Sequence, residues 1–102
     1  MNIHNKLVRD KIPEIIKQTG KKAITHILTE EEYITALEIK LNEEVAEYQA
    51  DKSLEEMADI LEVLQALCMA RGYTLKQLEE KRREKSEARG GFMDKVFLEY
   101  VE

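Results

Sequence analysis

The chain has 102 residues and a formal net charge of −5, with 43% hydrophobic and 36% charged residues, one proline, four glycines and no tryptophan. That length gives a single domain, residues 1–102, and the composition fits a helix-rich protein and argues against a disordered or β-rich one. No run approaches the roughly 18 apolar residues that span a bilayer, and Lys6, Arg9, Asp10, Lys11 and Glu14 stand where a signal peptide would be apolar. A cytoplasmic location with no membrane partner is therefore expected.

The first element is a short helix. Pro13 precedes Glu14, Ile15, Ile16 and Lys17, and Gly20 follows just past the expected end. KAITHIL, 22–28, has β-branched, strand-like composition, as does the tail VFLEYV, 96–101, and the two suggest a short β pair. Thr29 with Glu32 has capping-box spacing, and Tyr33, Ile34, Leu37, Leu41, Val45 and Tyr48 recur at helical intervals, which predicts a second helix over about 30–50. Asp51-Lys52 makes the turn. Ser53 with Glu56 repeats the capping spacing and opens a third helix over about 53–71, ended by Gly72. Thr74 with Gln77 opens a fourth, almost wholly charged towards Arg89, and Gly90-Gly91 ends it with a turn that Phe92 would pin by packing. The expectation is an all-α antiparallel bundle of about four helices.

The third helix carries apolar side chains round most of its circumference, from Leu54 and Met57 through Leu61, Val63, Leu64 and Leu67. A helix of that kind is buried on several sides, more than four short helices of one chain supply, so a homo-oligomer is expected, a homodimer or homotetramer. Cys68 lies in the same apolar run and reads as a core thiol, since a single cysteine forms no internal disulfide.

Charge is unevenly spread. Residues 1–26 carry a net +4, residues 27–64 a net −10 and residues 65–102 a net +1. Within 42–61, NEEVAEYQADKSLEEMADIL, seven carboxylates are offset by Lys52 alone. A short turn makes helices two and three antiparallel, which sets Glu44 and Glu47 at the height of Glu56 and Asp59. Residues three apart share a helix face, so the four acids can form two facing rungs. Two unit charges ~4 Å apart repel by ~4 kcal/mol at an effective dielectric of 20, a cost that a bound cation removes. All-oxygen ligands favour Mg²⁺, with Mn²⁺ the other candidate, while a di-iron site would need histidines in the helices, and His4 and His26 lie outside them. The plainer reading is that these acids form solvated faces and Glu56 only caps its helix.

EEVAE, 43–47, and EEMAD, 55–59, resemble the EExxE and ExxD signature of the MazG-type all-α nucleoside triphosphate pyrophosphohydrolases. NKLVRDKIPEII, 5–16, and KRREKSEARGGF, 81–92, are similar to the opening and closing motifs of a small MazG-like subgroup whose members often carry a phosphoribosyl-ATP pyrophosphohydrolase label. The resemblance extends over nearly the whole chain. Eight residues separate Glu47 from Glu56, fewer than in longer superfamily members, which leaves little loop for base recognition.

The resemblance implies Mg²⁺-dependent cleavage between the α- and β-phosphates of a nucleotide, giving a monophosphate and pyrophosphate, in nucleotide-pool house-cleaning. Glu44, Glu47, Glu56 and Asp59 match the family's metal ligands, and Glu43 matches the doubled glutamate that would orient or deprotonate the attacking water. Lys81, Lys85 and Arg89 share one face of the fourth helix. They read either as a solvated face paired with Glu80, Glu84 and Glu87 or, following the resemblance, as phosphate ligands. Lys6, Arg9 and Lys11 would reach the nucleotide from the same or a neighbouring subunit, although Asp10 is an equally good partner for Arg9. Two rival readings are a phosphoribosyl-ATP pyrophosphohydrolase of histidine biosynthesis and a non-catalytic helical interaction module. Nucleic-acid binding is not expected, because four glutamates interleave the basic helix.

Overall fold

The computed structural model describes residues 2–102, which form four helices: α1 (Ile12–Gln18), α2 (Glu30–Asp51), α3 (Leu54–Ala70) and α4 (Leu75–Arg89). The protein is all-α, and the helix boundaries follow the local chemistry. Thr29 and Glu32 exchange side-chain and backbone hydrogen bonds in a capping box, and Thr74 and Gln77 do the same at the start of α4. Pro13 occupies the first turn of α1, and Gly20, Gly72 and Gly90 take positive φ beyond the ends of α1, α3 and α4.

Between α2 and α3 lie only Lys52 and Ser53, so the two helices fold back on one another. Lys52 takes the left-handed conformation, φ 58° and ψ 24°, and its N–H donates to the Tyr48 carbonyl, which ends α2 where a glycine would normally stand. This hairpin is the packed unit. Leu37 from α2 and Val63 and Leu67 from α3 are buried, with Leu7, Tyr33, Leu41, Ala66 and Ala70 packed against them. Leu7 thereby anchors the N-terminal segment on the hairpin and brings the neighbouring basic residues to it.

Helix α4 packs on α3 alone, and α1 packs on none of the other helices. The molecule is accordingly long, 62 × 31 × 23 Å. Leu54, Met57, Leu61 and Leu64, spaced three and four residues apart, form a second apolar stripe on the side of α3 away from Val63 and Leu67, and all four are exposed. Cys68 is only half-buried, and its Sγ donates to the Thr74 carbonyl at 3.3 Å, tying the end of α3 to the start of α4.

Residues 22–28 and 96–101 do not form the expected β pair, and no strand occurs among the described residues. Both segments lie outside any regular element, with Ile24, Ile27, Val96 and Phe97 exposed. β-branched composition expresses itself against a neighbouring strand and a packed face, and an isolated two-stranded pair is marginal in water. Phe92 also departs from expectation. Gly90 supplies the turn, but Phe92 is 96% exposed and pins nothing. No helix of the described residues is long and apolar enough to cross a membrane.

Candidate metal centre

Antiparallel α2 and α3 bring Glu44, Glu56 and Asp59 together, one carboxylate oxygen from each lying within 4.8 Å of the others. The arrangement depends on the hairpin: Glu44 lies two turns before the end of α2, and Glu56 and Asp59 lie in the first two turns of α3. It also depends on how α3 starts. Ser53 Oγ accepts the Glu56 N–H at 3.2 Å, but the Glu56 carboxylate does not return a bond to the Ser53 backbone, so half of the capping box is absent. That carboxylate turns into the cluster instead, which removes the reading of Glu56 as a cap alone.

Glu44 is the deepest of the three at 6% exposure. Lys40, one turn earlier on α2, places Nζ 3.5 Å from Glu44 Oε1 and 3.9 Å from a Glu43 oxygen. Glu44 Oε2 and Glu56 Oε2 are both buried with no hydrogen-bond partner among the described residues. Burial, and then the neighbouring charge of Glu47, push the Glu44 carboxyl above its ordinary value, with Lys40 opposing. The same two causes, in the same order, raise Glu56. Glu47 itself is exposed and is not one of the close trio, although its carboxylate stands near enough to Glu44 and Glu56 to act on both. Glu43 is half-buried and turned towards Lys40.

The N-terminal segment closes the cluster on another side. Arg9 Nη2 donates to Asp59 Oδ1 at 2.6 Å, and Nη1 lies 4.0 Å from Glu62 Oε1. Asp10, the partner suggested by sequence proximity, does not pair with it within 4 Å. Lys6 and Lys11 are exposed and make no ion pair among the described residues. On α4, Lys81 pairs with Glu84 at 3.4 Å, while Lys85 and Arg89 are exposed with no carboxylate within 4 Å among the described residues. The structure therefore brings the acids together but joins no cation of α4 to them.

Two contributors escaped the sequence reading. Lys40 was legible as the i,i+4 partner of Glu44 and the i,i+3 partner of Glu43. Glu62 shares a helix face with Asp59, but nothing in the sequence assigns it to Arg9.

The donor set is all oxygen, partly buried and left with two unpartnered carboxylate oxygens, which suits a hard divalent cation such as Mg²⁺ or Mn²⁺. No protein-family profile matches the chain, and no solved structure matches it. A curated protein of Mycolicibacterium smegmatis (strain ATCC 700084 / mc(2)155), described as uncharacterized, is 50% identical over 44 residues, 43% of this chain and 45% of that protein. The chain thus spans less than half the length of this curated relative.

Proposed function

We propose that the chain is a Mg²⁺-dependent nucleotide pyrophosphohydrolase that cleaves between the α- and β-phosphates. The reading is carried by one observation: Glu44 is buried with an unpartnered oxygen beside Glu56 and Asp59, where ionised acids repel unless a cation joins them. The MazG-type motifs supply the reaction class.

When bound, the divalent cation polarises phosphate oxygens and acidifies a coordinated water. The chain's own residues do the rest. Glu44, Glu56 and Asp59 hold the cation, with Glu47 completing the set from the solvent side. Glu43 orients the water or takes its proton. Lys85 and Arg89, with Lys81, bind the phosphates and offset the charge of the leaving pyrophosphate. Lys6, Arg9 and Lys11 supply further positive charge at the mouth. Since no cation of α4 pairs with Glu44, Glu56 or Asp59 of its own chain, its basic face serves the cluster of a second subunit in this scheme.

The exposed stripe Leu54, Met57, Leu61 and Leu64 supports such a homodimer or homotetramer, because its period of three and four residues matches helix-on-helix packing. That stripe also favours the second reading, a non-catalytic helical interaction module. Nothing about the cluster selects a base or sugar, and phosphoribosyl-ATP stays within the substrate panel.

The deciding experiment incubates purified protein and Mg²⁺ with ribo- and deoxynucleoside triphosphates and phosphoribosyl-ATP, and measures pyrophosphate against orthophosphate. Pyrophosphate release is the expected result. No release, together with a thermal melt indifferent to millimolar Mg²⁺, would leave the interaction module.

A further inference from the structure

The fit of Arg9 into the acidic cluster bears on how the cluster is filled. Arg9 belongs to no helix; it is carried on the irregular segment that Leu7 anchors to the hairpin core. Its guanidinium, more than half exposed, meets Asp59, while the mostly buried Lys40 meets Glu44. The cluster is therefore served by two side-chain cations of different exposure. The Lys40 side chain is 19% exposed, whereas the Arg9 side chain is 55% exposed and so is the one an incoming ion meets from solvent. Arg9 also has an alternative partner, since Glu62 stands one turn further along α3, with an oxygen 4.0 Å from Nη1.

From this geometry we infer that Arg9 is an internal competitor for the metal position: it occupies Asp59 when the cluster is empty, yields it to a divalent cation, and is released towards Glu62 and the mouth of the site. The inference rests on the metal-site reading above and adds a regulatory residue to it. Charge makes the exchange self-consistent. A divalent ion beside Asp59 draws off the negative charge that holds the guanidinium and repels it, while Glu62 stands one turn away to receive it. Once released, Arg9 is a bidentate donor on a non-helical segment beside the acidic cluster, the geometry suited to a phosphate group. Metal and anionic ligand then bind with positive coupling, each relieving a cost of the other.

Mn²⁺ binding to the intact chain, measured by calorimetry without nucleotide, tests this. Arg9→Gln removes the competitor and should tighten Mn²⁺ binding by about threefold, the scale of one exposed ion pair. Arg9→Lys keeps a charged competitor and should stay close to the parent chain. Lys17→Gln removes the same charge from an exposed position of α1 and should leave the affinity unchanged. Hydrogen exchange gives an independent reading: Mg²⁺ should speed exchange of the amides of 5–11 in the parent chain, as the tether to Asp59 opens. Equal or weaker Mn²⁺ binding by Arg9→Gln, or slowed exchange over 5–11, would overturn the competitor role while leaving the metal site standing. Absence of Mn²⁺ binding in the parent chain and in Arg9→Gln alike would remove both.

Discussion

Lys40 Nζ stands 3.5 Å from Glu44 Oε1, one turn back along the same helix, while the other oxygen of that buried carboxylate has no partner among the described residues. One lysine thus balances part of a cluster that contains several acids. Lys40→Met should destabilise the metal-free protein by on the order of 1–3 kcal/mol, because it leaves a buried carboxylate with less compensation. Millimolar Mg²⁺ should restore much of that loss. Thermal melts with and without Mg²⁺ check both halves, and a variant as stable as the parent without metal would contradict the role given to Lys40.

Glu47 raises the carboxyls of Glu44 and Glu56 by its charge while being itself exposed. Glu47→Gln should therefore abolish pyrophosphate release while leaving the metal-free fold intact or slightly more stable. Asp59→Asn should also abolish turnover, but without the gain in stability, since Arg9 loses its partner. Full activity in both variants would sink the proposed site.

The pH dependence follows from the direction of the shifts. Glu44 and Glu56 have carboxyls raised above the ordinary 4.5, so the folded chain holds protons that the unfolded chain releases. Stability from these groups is fully present below 4.5 and is lost as pH rises through their raised folded values. Glu32, lowered by its hydrogen bonds with Thr29, and Glu79, lowered by Arg82, act oppositely: their contribution is present above 4.5 and lost as pH falls through their lowered folded values. The metal-free melting temperature should therefore rise as the pH falls from neutral towards 4.5. Saturating Mg²⁺ should reverse the trend, because the cation binds the ionised carboxylates and its uptake releases protons. A metal-free melting temperature that stays flat down to pH 4.5 would contradict the cluster's electrostatics.

Lys85 is exposed on α4 with no carboxylate within 4 Å among the described residues. Lys85→Ala should weaken nucleotide binding by about tenfold, as expected for one charge-assisted hydrogen bond, and change Mg²⁺ affinity far less. Titration with a labelled nucleotide measures the first, and an unchanged affinity would count against the phosphate assignment.

Leu61, 54% exposed, sits within the stripe that runs from Leu54 to Leu64. Sedimentation of the parent chain at micromolar concentration should give a dimer or larger, and Leu61→Glu should shift it to monomer with little change in helicity, since Leu61 is outside the buried core. A monomeric parent would overturn the assembly.

The helices were legible because their ends are written in single residues: Thr29 with Glu32, Thr74 with Gln77, Pro13 and Gly72 each act within one turn. The meeting of Glu44 with Glu56 and Asp59 was legible for a related reason, since a two-residue turn permits only one pairing of heights. What the sequence withheld were relationships that no local rule fixes. Arg9 finds Asp59 fifty positions away because Leu7 packs into the hairpin, a contact with no signature in the sequence. The segments 22–28 and 96–101 misled because β propensity is realised only beside another strand.

The left-handed Lys52 has a consequence for how the chain comes together. By closing α2 onto α3 within two residues, it places all three clustered acids inside sixteen consecutive positions, 44–59, so they meet as early as the hairpin does. Like charges then resist the first native contact the chain can make. A divalent cation bound at that moment would favour closure of the hairpin, so the refolding rate should climb with Mg²⁺ concentration while the unfolding rate stays nearly constant.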